Sequence, residues 1–274
     1  MTDLSHIAQP PSGLQMSAVG QTIFTIAVTI PWVVLFIVAL RIWRRDHTPV
    51  PLLFMVGGAL CILFEPIVDV LGMCWFPRIN QWVGLEVFGR PIPLFMWPVY
   101  SWFVGGQAFL FWRAFQQGMT RRSLWRWWLI LMAVNVALES PGILMNVYTY
   151  YGPQPFNLWG LPLWWLAANA TMPIVAAYVV HKLYPDLTGA KVLLIILLVP
   201  MADGATNGAI SWPVFTALNT QLGFWATYPA AIATFGLAAL LIWTLTRGLP
   251  VSRIEPSPVV TGPVTPIDPQ PASV

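Results

Sequence analysis

Charged side chains are scarce in this sequence of 274 residues: Asp, Glu, Lys and Arg make up 8% of the positions, whereas 57% are hydrophobic. A soluble domain carries about 25% charged residues, because its surface must stay hydrated. So few charges exclude a water-soluble globule and indicate a membrane protein. The net charge of +3 does not indicate a nucleic-acid partner, since the basic residues lie in short loops rather than on one face.

Histidine and cysteine are also rare, with three and two residues. His6, His47 and His181 fall in tails or at the ends of apolar segments, and Cys61 and Cys74 lie too far apart on one predicted helix to form a disulfide. No CxxC pair occurs. We therefore predict no metal site and no cofactor. A retinal protein is excluded as well, because the last apolar segment has no lysine for a Schiff base.

Seven apolar segments are long enough to cross a hydrocarbon core of about 30 Å, which takes roughly 20 helical residues. These segments are residues 21–43, 51–75, 92–115, 126–147, 161–182, 190–213 and 222–246. We predict an all-α protein with a seven-helix membrane domain over residues 21–247. A polar N-terminal segment, 1–20, precedes it, and a disordered, proline-rich tail, 248–274, follows it.

The basic residues predict the orientation of these helices, because Lys and Arg collect in cytoplasmic loops. In the seven-span arrangement only Arg78 and Arg90 lie on one side of the membrane. All the others lie on the opposite side: Arg41, Arg44, Arg45, Arg113, Arg121, Arg122, Arg126, Lys182, Lys191, Arg247 and Arg253. We therefore predict an N-terminus outside the cytoplasm and a cytoplasmic C-terminus.

Four carboxylates lie inside the predicted spans: Glu65 and Asp69 in the second, Glu139 in the fourth and Asp203 in the sixth. Such residues are costly in hydrocarbon and are typical of functional sites or water-filled cavities. Three of them lie about 20 Å along their helices from the predicted inner boundary, and each of these three has a nearby proline that predicts a bend. The four acids are our candidate catalytic residues, although a protonated carboxyl can also simply join two helices.

The sequence contains sixteen tryptophans, whose ordinary place is the aromatic belt at the two membrane interfaces. The outer half also holds aromatic and amide side chains near the level of the acids, which we predict to bind a substrate: Trp75, Trp97, Tyr100, Trp102, Asn169, Asn207, Trp212, Trp225 and Tyr228. Aromatic faces stabilise positive charge, and protonated carboxyls beside them suit chemistry that starts by protonating an alkene or epoxide. Two aromatic outer connections, 76–91 and 148–160, are predicted to cover this site.

With Glu65 in LFEPIVD and Asp203 in PMADG, the chain resembles the small integral-membrane terpene cyclases of meroterpenoid and indole-terpenoid biosynthesis, of the bacterial drimentine type and the fungal paxilline and pyripyropene types. The resemblance implies that Glu65 and Asp203 are an acid pair. It implies a hydrophobic prenylated substrate, for example a farnesyl chain on an indole, which an isomerase-type reaction cyclises through carbocations without metal. It also implies a place in a bacterial cell membrane.

Other functions remain open at this point. The sequence has no DDxxD, NDxxDxxxD or DxDD motif, which excludes metal-dependent ionisation of a diphosphate. A proton-coupled transporter or channel is the first alternative, because carboxylates in bent helices are common there. A sterol-type double-bond isomerase is the second. The partners predicted in every case are the lipid bilayer and a small molecule; the substrate, the donor acid and the oligomeric state are left open.

Overall fold

The structure is a computed structural model that describes residues 8–252. As predicted, it is mostly helical. Its α-helices are α1 (Ala18–Asp46), α2 (Val50–Leu60), α3 (Glu65–Leu71), α4 (Met96–Tyr100), α5 (Gln107–Gln116), α6 (Arg121–Leu144), α7 (Trp164–Leu183), α8 (Ile195–Leu218) and α9 (Phe224–Thr246). A π-helical turn, Ser101–Gly106, joins α4 to α5, and shorter 3₁₀ turns cover Cys61–Leu63, Tyr184–Asp186 and Gly189–Leu194.

The sequence marks the ends of the long helices. Ser17 caps α1 by accepting a hydrogen bond from the Gly20 amide at 3.0 Å, and Thr120 caps α6 by accepting one from the Ser123 amide at 3.2 Å. His47 ends α1 in the left-handed conformation. Each cap satisfies a backbone group that the helix itself leaves unpaired, so these helices begin and end where the side chains provide a partner.

Four helical segments are long and apolar enough to cross a membrane: α1, α6, α8 with the 3₁₀ turn before it, and α9. Residues Val50–Leu63 and Glu65–Leu71 make a fifth if they form one broken span, bent by 44°. Pro66 explains this bend, because it has no N–H to continue the hydrogen bonding of the preceding helix. Helices also occupy the other two predicted segments: α4 and α5 lie in 92–115, and α7 lies in 161–182. Taken singly, none of these three helices is both long and apolar enough to cross a membrane.

Helix α7 lies at the centre of the bundle, where it packs against α5, α6, α8 and α9. The Trp128 indole on α6 donates to Thr171 Oγ1 on α7 at 2.9 Å. Helix α2 packs closely on the π turn, since a Cβ on Gly58 would lie 2.6 Å from Gly105 Cα. The Ser101 hydroxyl of the π turn donates to the Met55 carbonyl at 2.9 Å and strengthens this contact.

Two connections contain short strands that the all-α prediction did not include. Strand β1 (Cys74–Trp75) pairs with β4 (Thr149–Tyr150), and we call this pair the β1–β4 ribbon. Strands β2 (Val83–Val87) and β3 (Arg90–Pro93) form a hairpin, as do β5 (Asn157–Leu158) and β6 (Leu161–Pro162). The β2–β3 turn has positive φ at both of its central residues, which matches the twist of a hairpin.

Contacts between chain segments define two ends of the bundle. At the ribbon end, the Met16 amide donates to the Ile79 carbonyl at 2.9 Å, so part of the predicted polar segment 1–20 packs against the connection after α3. At the opposite end, Arg121 donates through its amide to the Pro250 carbonyl at 3.1 Å and through Nε to the Leu249 carbonyl at 3.0 Å. The start of the tail predicted to be disordered is therefore ordered against α6; residues from 253 lie outside the described part.

Candidate functional site

A cavity of about 70 Å³ lies beside the bend between α2 and α3. It is lined by Phe24, Glu65, Val68, Asp69, Cys74, Phe76, Met96, Val99, Tyr100, Phe103, Leu138, Glu139, Tyr148, Tyr150, Trp165, Asn169, Met172 and Asn207. These residues come from most of the helices and from the β1–β4 ribbon. A water molecule needs about 10–15 Å³ of cavity volume, so this cavity holds roughly five to seven groups of that size.

Glu65 is the first residue of α3 and reaches the cavity because the helix bends there. Its side chain is buried, and Oε2 accepts a hydrogen bond from the Tyr100 hydroxyl of α4. Among residues 8–252 this is the one side-chain hydrogen bond of the Glu65 carboxyl. Tyr100 thus fixes one oxygen of Glu65 and leaves the other without a side-chain donor in the described part of the chain.

Glu139 on α6 has three hydrogen-bond donors. Asn169 Nδ2 donates to Oε1 at 2.9 Å, while the Tyr148 and Tyr150 hydroxyls donate to Oε2 at 2.7 and 3.3 Å. Burial raises the pKa of both phenols, so both remain protonated and keep their donors. Hydrogen bonds to a carboxyl from three donors favour its ionised form. These three donors offset part of the cost of ionising Glu139 in a buried site.

Asp69 lies one turn beyond Glu65 on α3 and is only 1% exposed. Its Oδ1 has no hydrogen-bond partner among the described residues. The cation that acts on it is Arg90, which lies behind the cavity wall. Arg90 donates to the Cys74 carbonyl at 3.1 Å and to the Tyr151 hydroxyl at 2.6 Å, and its guanidinium lies over the Trp75 and Tyr151 rings at 5.3 and 5.6 Å from their centroids.

Asp203 is buried but does not line the cavity. It lies one helical turn behind the wall, where Asn207 Nδ2 is 3.4 Å from its Oδ1, and Asn207 rather than Asp203 reaches the cavity. The structure thus places Asp203 outside this cavity. Its pairing with Glu65 stays a prediction, because the two carboxyls lie within electrostatic reach of each other and the Cys61 thiol hydrogen-bonds Asp203.

Only three of the nine predicted binding residues line the cavity: Tyr100, Asn169 and Asn207. The other six are elsewhere: Trp75, Trp97 and Trp102 pack outside the cavity, and Trp212, Trp225 and Tyr228 are 58%, 92% and 40% exposed. The last three fit the aromatic belt, the ordinary place of membrane tryptophans, better than a substrate cage. This corrects the predicted cage.

A different set of rings lines the cavity, and we call it the aromatic wall: Phe24, Phe76, Tyr148, Tyr150 and Trp165. Each ring contacts another, with centroids separated by 6.4 Å for Phe24–Tyr148, 5.4 Å for Phe76–Tyr148, 6.1 Å for Tyr148–Tyr150 and 5.9 Å for Tyr150–Trp165. Three members follow from the prediction that the aromatic connections 76–91 and 148–160 cover the site. Phe24 on α1 had no signal in the sequence.

The described lining residues include three carboxyls, three phenols and two amides, and none is Lys, Arg or His. Within residues 8–252, no group of three or more His, Cys, Asp and Glu side chains is placed to hold a metal ion. The arrangement can exchange protons and can stabilise positive charge through carboxylate and ring faces.

No family model, curated protein or solved structure matches the chain. The resemblance to the membrane terpene cyclases therefore remains a prediction that rests on two short motifs.

Proposed function

We propose that the protein is a membrane-bound terpene cyclase that protonates an alkene or epoxide of a prenyl chain on a ring system and cyclises it through carbocations. The observation that carries the proposal is the cavity itself, in which Glu65, Asp69 and Glu139 face the aromatic wall. An acid that gives up a proton and rings that stabilise the resulting cation are the two requirements of this chemistry.

The proposal includes seven spans, with the N-terminus outside and the C-terminus in the cytoplasm of a bacterial cell. Helical structure runs without a break from Met96 through the π turn to Gln116, which is long enough for one span. Helix α7 is enclosed by four other helices and so needs few lipid-facing side chains. An odd number of spans also fits the contacts of the chain ends, because Met16 lies at the ribbon end and Pro250 at the other.

Glu65 is the proposed proton donor. Its O–H gives a proton to the substrate alkene or epoxide, and the substrate becomes a carbocation while Glu65 becomes a carboxylate that Tyr100 continues to hydrogen-bond. New carbon–carbon bonds then form from the remaining alkenes of the chain. Glu139, whose ionised form is favoured by Asn169 and the two tyrosines, accepts the proton that the final cation loses. One proton enters and one leaves, so the product is an isomer of the substrate. The cycle closes when the proton returns from Glu139 to Glu65, which lines the same cavity. Asp203 acts through Asn207 as a positioning residue.

The size of the cavity sets a condition on this mechanism. Pockets for drug-sized ligands are about 300–1,000 Å³, whereas this cavity is about 70 Å³. A complete farnesylated indole needs more room than that. We propose that the β1–β4 ribbon, which carries Cys74 and Tyr150 of the cavity wall, moves outward when the substrate binds.

The test is to incubate membranes containing the protein with a farnesylated indole and to separate isomers of unchanged mass by chromatography. Glu65→Gln keeps the size of the side chain but removes its acidic proton, so activity should fall about 10²- to 10⁴-fold. Glu86→Gln is the matched control, because Glu86 is ion-paired with Arg78 in the outer hairpin and should not affect turnover. Full activity of a folded Glu65→Gln protein would contradict the assignment.

A proton-coupled transporter is the second candidate, and the broken helix supports it. Glu65 begins α3 at a bend of 44°, and discontinuous helices of this kind form the binding sites of many transporters. Proteoliposomes with a pH-sensitive dye inside distinguish the two functions. Proton or solute movement without conversion of any prenylated substrate would replace the cyclase proposal. A double-bond shift in a sterol under the same conditions would instead support the isomerase.

A further inference from the structure

We infer that the cavity binds an organic ammonium ion, with Glu139 as its counter-ion and the aromatic wall around its alkyl groups. This is a ligand-binding property, and it does not depend on which reaction the protein catalyses.

The surroundings of Glu139 favour a positively charged ligand. Glu139 accepts hydrogen bonds from three donors, which favour its ionised form, but none of the described cations acts on it. Arg90 acts on Asp69 instead, from behind the wall. A buried carboxylate that is hydrogen-bonded but has no counter-ion is costly, because burial of a charge is compensated only when it is paired. A positively charged ligand would supply the missing partner.

Asp69 independently indicates that a ligand binds here. This residue lines the same cavity, is 1% exposed, and leaves Oδ1 without a hydrogen-bond partner among the described residues. Buried polar groups in native proteins nearly always have a partner. Among the described residues the weak Cys74 thiol is the hydrogen-bond donor to the Asp69 carboxyl, so a ligand that donates a stronger hydrogen bond would stabilise it. The partner must donate a hydrogen bond, which an N–H or O–H group of the ligand can do.

The shape and size of the cavity also suit such a ligand. The aromatic wall is continuous from Phe24 to Trp165, and ring faces attract alkylammonium groups because the positive charge is spread over their methyl and methylene groups. A trimethylammonium group with its adjoining carbon has five heavy atoms. The space for roughly five to seven water-sized groups therefore suits such a head group. Na⁺ is also attracted by ring faces, but it holds its water more strongly than an alkylammonium ion and loses more hydration on entering the cavity.

Choline and 3,3-dimethylbutanol are the probes, since both carry the hydroxyl that Asp69 requires and they differ only in a positive nitrogen in place of a neutral carbon. Equilibrium dialysis of radiolabelled choline against the full-length protein in a neutral detergent measures affinity, and unlabelled 3,3-dimethylbutanol competes. We expect choline to bind at least about tenfold more tightly than the neutral analogue, a difference of the size expected for a desolvated cation on aromatic rings and a carboxylate.

The matched variants are Glu139→Gln, which should abolish the preference for the cation, and Glu86→Gln, which should retain it. Equal affinity of the two probes for the wild-type protein would overturn the inference, and so would a full preference in folded Glu139→Gln. If Glu139→Gln does not fold, the wild-type comparison still decides. Cyclisation of a prenylated indole without any choline preference would reject this inference and leave the proposed function intact; choline preference without cyclisation would do the reverse.

Discussion

Arg90 joins the β2–β3 hairpin to the β1–β4 ribbon, so Arg90→Met should open the outer side of the cavity. Hydrogen bonds from a charged donor contribute about 1.5–3 kcal/mol each, and cation–π contacts about 0.5–1 kcal/mol. Arg90 makes two of each. Methionine recovers part of this stabilisation because its own side chain is buried, and a neutral side chain avoids the cost of burying a charge. We therefore expect a net loss of about 2 kcal/mol in the stability of the closed ribbon, which raises the population of its open state about 30-fold.

Alkylation of Cys74 measures this opening. The chain has two cysteines, so Cys61→Ser leaves Cys74, a buried residue of the cavity wall, as the sole thiol. When closing is fast relative to alkylation, the rate of reaction with N-ethylmaleimide follows the population of the open state. The expected rise in rate cannot come from electrostatics, because loss of the neighbouring positive charge disfavours the reactive thiolate.

Arg78→Met is the matched control in the same part of the molecule. Arg78 forms an exposed ion pair with Glu86, and exposed pairs contribute little to stability. Its alkylation rate should therefore stay within about threefold of the parent protein. Equal rates in Arg90→Met and Arg78→Met would show that Arg90 does not hold the ribbon closed.

Three further predictions concern packing, topology and pH. Gly105→Ala should destabilise the protein by about 1–3 kcal/mol, because the added Cβ would clash with the backbone of α2. Gly236→Ala is the control: its Cβ would have no neighbour within 4 Å, so the change should be neutral or slightly stabilising. Thermal unfolding in detergent measures both. A reporter fused after Arg247 should read cytoplasmic and one inserted at Gly89, in the open hairpin turn, should read external; the opposite result at either site would contradict the seven-span arrangement. The pKa of Glu86 lies below its ordinary value of 4.5 because its arginine partner hydrogen-bonds the carboxylate, so the pair slightly stabilises the hairpin at neutral pH and this is lost as the pH falls below about 4.5. The hydrogen-exchange rate of the hairpin amides, divided by the rate of an unfolded chain at the same pH, should then rise by up to about threefold in the wild type but not in Glu86→Gln.

The helical class could be predicted from the sequence, and so could the meeting of Glu65, Asp69 and Glu139 in one cavity. Apolar length gives helices, and a count of residues along a helix gives the height of each side chain, since every residue rises by about 1.5 Å. The bend at Glu65 followed from Pro66 for the same local reason. These features depend on neighbours in the sequence, and no knowledge of the packing was needed.

The direction of each side chain could not be predicted in the same way. Asp203 and Trp212 lie on one helix, yet Asp203 is 2% exposed and Trp212 is 58% exposed. Which face of an apolar helix points inward depends on how the other helices pack, and a helix that is apolar on all sides has no periodic pattern to reveal it. The roles of Tyr148 and Tyr150 depend on the pairing of β4 with β1, across a long separation in sequence.

The central place of α7 has a consequence for how the protein reaches its native state in the membrane. Asn169 and Thr171 are satisfied by partners on α6, and almost every side of the helix faces protein. Alone in lipid, the same helix would expose these polar groups, which is costly. In the seven-span arrangement, α7 therefore enters the bilayer stably only together with α8 and α9, which are synthesised after it. A ribosome-bound chain that stops before α8 should leave α7 accessible to proteases or bound to the insertion machinery, and the cavity should form only when the last two helices have arrived.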